Sequence, residues 1–150
     1  RRGMLAGLAA TAGLPAAARA ARPPNIIIVL ADDLGYGDLS SQGSRLIATP
    51  NIDRLARGGV RMTDFYASAN ICTPSRAGLL TGRYPIRTGL AHQVIQANDR
   101  NGLPTSEITL ARALKPDYAT ALIGKWHLGH VAPYSPPTVH GFDLFFGLPY

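Results

Sequence analysis

Three clusters of residues in this chain are equipped for chemistry. The first is Asp32-Asp33, adjacent carboxylates followed by Leu34-Gly-Tyr-Gly-Asp38. Two hard oxygen donors suit Ca²⁺ and, less well, Mg²⁺, but neighbouring side chains along a continuing strand face opposite ways. Both can reach one ion only if the backbone turns, which Gly35 and Gly37 would allow. Calcium takes about six to eight ligands, so further donors must come from elsewhere. Taken alone, an Asp-Asp pair also fits a solvated loop. The second cluster is Cys72-Thr-Pro-Ser-Arg76, continuing to Thr81-Gly-Arg83. With Pro74 as the first helical residue, Cys72 lies at the lip of a helix N-terminus. Unpaired N–H groups there favour a tetrahedral anion and lower the pKa of a thiol. Arg76, in that first turn, could hold whatever stands at position 72. Without such context a lone cysteine is a buried small hydrophobe. The third cluster is Lys125-Trp126-His127. Residues i and i+2 of a strand share a face, so ammonium and imidazole would project together while Trp126 packs the other way. One supplies fixed positive charge and the other exchanges a proton near neutral pH. An exposed strand end would show the same pair.

The elements that must carry these residues are legible in outline. Ile26-Ile-Ile-Val-Leu-Ala31 is a continuous β-branched run, read as a strand buried on both faces and ending at Asp32. Thr49 to Gly59 carries the marks of a helix, with Thr49 as N-cap, Pro50 in the first turn, Asp53 near the positive end and glycine as stop. Val60 to Tyr66 alternates as a second strand. A short helix runs from Pro74 through Leu80 and closes at Gly82; another is expected over Ser106 to Leu114, and a third strand over Ala119 to Gly124. Strands mixed with helices in this order make an α/β layered domain, and open α/β sheets bind ligands at the carboxyl ends of their strands. Gly141 to Tyr150 is apolar and aromatic, unlike a frayed polar terminus, so the chain reads as part of something longer.

Composition narrows the function classes. The 150 residues are 46% hydrophobic, enough for a core, and one cysteine excludes a disulfide-stapled scaffold. The net charge of +6 invites a nucleic-acid reading, but its location argues otherwise. Without Arg1, Arg2 and Arg19, twelve basic residues face nine acidic ones, a net +3, and no basic-aromatic interleaving remains. No nucleic-acid partner is expected. Arg1-Arg2, an uncharged Gly- and Ala-rich stretch and Ala18-Arg-Ala20 read as a twin-arginine-like export signal over residues 1–21, too short to span a bilayer. Cleavage near Ala20 would leave a periplasmic or secreted protein with no membrane attachment.

Cys72-Thr-Pro-Ser-Arg76 with Thr81-Gly-Arg83 resembles the sulfatase signature C-x-P-S-R followed by T-G-R. Five further segments are similar to the same family in the same order: Pro24 to Asp33, Gly35-Tyr-Gly-Asp38, Thr49-Pro-Asn-Ile-Asp53, Gly124-Lys-Trp-His-Leu-Gly129 and Gly141-Phe-Asp143. The likeness is to the branch of arylsulfatase A and N-acetylgalactosamine-6-sulfatase. It implies an alkaline-phosphatase-like α/β sheet with helices on both faces, of which residues 22–150 would be the N-terminal part of the catalytic domain. It also implies conversion of Cys72 to formylglycine by a formylglycine-generating or sulfatase-maturating enzyme. Asp32 and Asp33 match calcium-binding aspartates, joined by the group at position 72. Arg76 matches the arginine that holds the formylglycine, Lys125 a sulfate-binding lysine, and His127 the histidine beside the aldehyde hydrate.

In such sulfatases one hydroxyl of the hydrate attacks the sulfur of a sulfate ester and the alcohol leaves. The other hydroxyl is then deprotonated, here by His127, which expels sulfate and restores the aldehyde. The family's Asp-Asn calcium ligands, leaving-group histidine and second sulfate-contacting lysine have no counterpart within these 150 residues, so activity of this segment alone is not expected. Two other readings use the same residues: a phosphonate or phosphate ester hydrolase of the same superfamily, and a catalytically incomplete anion- or metal-binding fragment.

Overall fold

The computed structural model describes residues 22–150, so the signal expected over residues 1–21 lies outside the described residues. Two compact units divide the chain at Ala31 and Asp32. In the first, residues 26–31 form no strand and their side chains are exposed, against the expectation of a doubly buried strand. A β-branched run favours an extended backbone, but ladder hydrogen bonds come only from a paired segment.

The second unit holds the regular elements. After two short 3₁₀ turns, α1 spans Pro50–Gly58 and α2 Cys72–Thr81. Both follow the local signals. Pro50 opens α1, and Gly82 closes α2 in the left-handed region (φ 64°), where its N–H donates to the Gly78 carbonyl. Thr49 occupies the N-cap of α1, yet its hydroxyl donates to Asp53 and accepts from the Ser40 backbone N–H instead of capping the helix itself. Asp53 also accepts from the Ser40 hydroxyl and the Ser41 N–H, which ties α1 to the preceding turn.

Two expectations need correction, and one strand was not expected. Val60 to Tyr66 is irregular and exposed; like residues 26–31, it has the pattern of a strand without a ladder. The helix expected from Ser106 shrinks to α3, Leu110–Leu114, because Thr109 stays extended (ψ 162°) and its hydroxyl accepts from the Arg112 N–H as a true N-cap. The apolar stretch after Gly141 contains a strand: β2, Leu144–Leu148, pairs in parallel with β1, Ala121–Lys125. Gly124 lies opposite Gly147, and the ladder runs on past β1, with the Trp126 N–H donating to Leu148 and the His127 N–H to Pro149.

The α/β class therefore holds, with helices and a parallel sheet. Trp126, Leu103 and Leu128 are fully buried and, with Ala77 of α2, Ala111 of α3, Leu90, Ile95 and Phe142, make up the core. Trp126 meets Phe142 edge-on at 6.3 Å and His140 at 5.1 Å. Two anchors surround this core. Asp143 accepts from the Thr120 N–H and hydroxyl, joining the starts of the two strands, and Arg83 places one nitrogen on both oxygens of the nearly buried Glu107 (2.6 and 2.8 Å).

Candidate active site

The site gathers where β1 ends, at the carboxyl end of a parallel strand. Helix α2 begins at Cys72 itself, with Ile71 as the extended N-cap, so Cys72 is the first helical residue instead of standing outside at the lip. Pro74 then takes the third helical position, where its missing N–H costs no intrahelical bond. Arg76 lies four residues on, one turn along the same side of the helix.

Four side chains converge here from three segments of chain. Lys125 Nζ lies 3.1 Å from Asp32 Oδ2 and 3.7 Å from Cys72 Sγ. Cys72 Sγ lies 3.8 Å from Asp32 Oδ1. The Arg76 guanidinium spans the group, donating through Nη2 to Asp32 Oδ1 at 3.0 Å and through Nη1 to the Lys125 carbonyl at 2.7 Å. It thus grips both neighbours of Cys72. The hydrogen bond from Lys125, and next that from Arg76, hold the Asp32 carboxyl below its ordinary range.

Asp33 joins through the backbone. The expected turn occurs, but at Asp33 itself (φ 57°), a conformation aspartate tolerates better than most residues. One ligand atom each from Asp32, Asp33 and Cys72 then lie within 4.8 Å of one another. Asp38 stays apart, capping the Gly35 N–H at 2.6 Å. Two carboxylates fit a hard divalent cation; a thiol is a soft third donor, and an oxygen at position 72 would match better.

His127 is buried, as Trp126 is, and its backbone is also left-handed (φ 56°). Its Nε2 donates to the Ile95 carbonyl at 2.9 Å, while Nδ1 is buried with no hydrogen-bond partner among the described residues. Burial, chiefly, and the nearby Lys125 and Arg76 charges push the imidazole pKa down, against the Ile95 carbonyl. Sequence reasoning missed Thr73, the residue behind Cys72, whose hydroxyl donates to the His127 carbonyl; nothing in the spacing singled out a threonine in that role. It also missed Glu107, whose partner Arg83 belongs to the Thr81-Gly-Arg83 motif.

Two cations and a thiol on the first turn of a helix, beside a carboxylate pair that a divalent cation would neutralise, make a group suited to a tetrahedral anion. Comparison with known proteins agrees with that chemistry. The Sulfatase family model matches residues 24–150. Arylsulfatase A of Bos taurus is 54% identical over 144 residues, covering 93% of this chain and 28% of that protein. Steryl-sulfatase of Mus musculus is 50% identical, covering 87% of this chain and 23% of its own length. The solved structure of the PsFucS1 sulfatase from Pseudoalteromonas sp. superposes with a TM-score of 0.69 at 42% identity, covering 80% of this chain and 25% of that one. The chain thus spans about a quarter of the length of the relatives it matches, and within that span it belongs to the sulfatase family.

Proposed function

We propose that the protein carrying this chain hydrolyses sulfate esters, and that residues 22–150 are the N-terminal part of its catalytic domain. The observation that carries the reading is the convergence of Asp32, Cys72, Arg76 and Lys125 at the end of β1, in a chain of this family. Cys72 is the residue a maturating enzyme converts to formylglycine. When formed, the aldehyde hydrate supplies one hydroxyl to attack sulfur and a second through which sulfate departs without attack by water. Asp32 and Asp33, with position 72, would hold Ca²⁺ in preference to Mg²⁺, a charge that favours binding of the sulfate group. Lys125 holds a sulfate oxygen, Arg76 keeps Asp32 and Lys125 in place around position 72, and His127 takes up the proton. Residues 1–21 direct the protein to the periplasm or outside the cell. Among the described residues, no helix is long and apolar enough to cross a membrane.

The test is peptide mass spectrometry of the full-length protein co-expressed with a maturase, alongside turnover of an aryl sulfate and an aryl phosphonate. Aldehyde in place of the Cys72 thiol, with sulfate the faster substrate, is the expected result, and Cys72→Ala should abolish turnover. A fully active enzyme with an unmodified thiol, or preference for the phosphonate, would overturn the reading.

A further inference from the structure

Thr73 is fully buried directly behind Cys72, and its hydroxyl is used twice. It donates to the His127 carbonyl at 2.9 Å and accepts from the Ile95 N–H at 3.1 Å. The Ile95 carbonyl in turn lies 2.9 Å from His127 Nε2. Helix α2, the loop at Ile95 and the segment after β1 are thereby closed into one ring of three hydrogen bonds. A carbonyl has no proton to give, so Nε2 must carry it. In the neutral imidazole the free lone pair then belongs to Nδ1, which is buried and has no hydrogen-bond partner among the described residues. His127 also holds a left-handed backbone at φ 56°, a conformation that persists only where the surroundings over-determine it. Thr73 on its carbonyl and Pro149 on its N–H grip it from both sides.

We propose that Thr73 is a positioning residue: through Ile95 it holds His127 in the Nε2–H tautomer and so makes Nδ1 the atom that exchanges the proton. The inference rests on the reading of His127 as the proton acceptor of the site, and it adds which atom acts and what selects it. A hydroxyl is needed because the same group must donate to one backbone and accept from another. Serine can do both; valine, of equal shape, can do neither. A purely structural threonine would affect stability alone, whereas this one sets a protonation pattern.

The experiment uses the full-length protein, with NMR of isotopically labelled histidine nitrogens to read the tautomer and kinetics on an aryl sulfate. The wild type should show His127 protonated at Nε2 and free at Nδ1; the opposite tautomer would overturn the proposal without any variant. Thr73→Val should lose the single-tautomer signature and lower kcat about 10- to 100-fold with KM little changed, as misorienting a reacting group does. Thr73→Ser should restore both. Unchanged kcat and tautomer in folded Thr73→Val, or a fall in kcat that Thr73→Ser does not rescue, would sink the assignment; if Thr73→Val does not fold, the wild-type tautomer and Thr73→Ser decide. Should the wild type turn over no sulfate ester, the functional reading fails, while the tautomer measurement still decides the role of Thr73.

Discussion

Asp32 faces two cations with one carboxylate, and the division of labour between them is unequal. Lys125 has one nitrogen to share between Asp32 and Cys72, whereas Arg76 reaches the Asp32 carboxylate and the Lys125 backbone with separate nitrogens in a fixed fork. Arg76→Lys keeps the charge and loses the fork, so kcat/KM on a sulfate ester should fall about a hundredfold, as loss of precise placement does. Wild-type kinetics in that variant would show that charge alone suffices. Away from the site, His140 is fully buried, with Nε2 on the Tyr134 carbonyl and Trp126 beside its ring. Burial, first, and the Arg112 charge push its pKa down. The unfolded chain then binds more protons than the folded one once the pH drops below about 6.5, the ordinary imidazole value. Stability should therefore be flat above that pH and decline below it. Denaturant titrations of the full-length protein across this range should show a slope that His140→Gln makes shallower; an unchanged slope would assign the acid sensitivity to other groups.

Helix α2 carries Cys72 and is seated by close approach. A methyl group at Gly78 would stand 2.0 Å from Ser68 Oγ and 2.7 Å from Ser68 Cβ. Two effects of opposite sign meet at this position. Alanine is favoured over glycine within a helix by about 1 kcal/mol, while overpacking costs about 1–3 kcal/mol. The contact is too short for propensity to win, because even the Ser68 Cβ must move. Gly78→Ala should destabilise the full-length protein by up to about 2 kcal/mol in chemical denaturation. Adding Ser68→Gly should recover most of the loss. A stabilised single variant would show that α2 shifts freely against the Ser68 loop. At its other end, α2 runs through Gly82 to Arg83, which pairs with Glu107, so the helix that presents Cys72 is tied to the turn preceding α3.

At the scale of the whole molecule, the described residues bring three ligand groups together, fewer than the six to eight or so that calcium takes. The chain covers 28% of arylsulfatase A, and the remaining donors are expected from the rest of the protein. Ligand bound only to the folded state stabilises by mass action, about 2.7 kcal/mol at a hundredfold excess over Kd. Calcium should raise the Tm of the full-length protein, and Asp32→Asn or Asp33→Asn should erase the response. The 150-residue chain should shift little; tight binding by it alone would mean that further ligands lie within it, with Asp38 the first to test.

What the sequence determined by itself was local. Proline at the starts of α1 and α2 and glycine at their ends act within a few residues, because every helical hydrogen bond closes inside its own segment. The candidate site residues could be proposed for a related reason: Asp32, Asp33, Cys72, Arg76, Lys125 and His127 form a motif of types and spacings that survives any uncertainty about the elements around it. The strands were different. Ile26 to Ala31 and Val60 to Tyr66 have better strand composition than Leu144 to Leu148 with its internal glycine, yet the last is the one paired with β1. A strand's hydrogen bonds belong to two segments far apart in sequence, and only tertiary structure says which two meet. The same holds at the site. That Asp33 turns the backbone, that Arg76 grips Lys125 by its carbonyl, and that Thr73 reaches His127 through Ile95 all depend on main-chain groups, which are identical in every residue and leave no mark in the sequence.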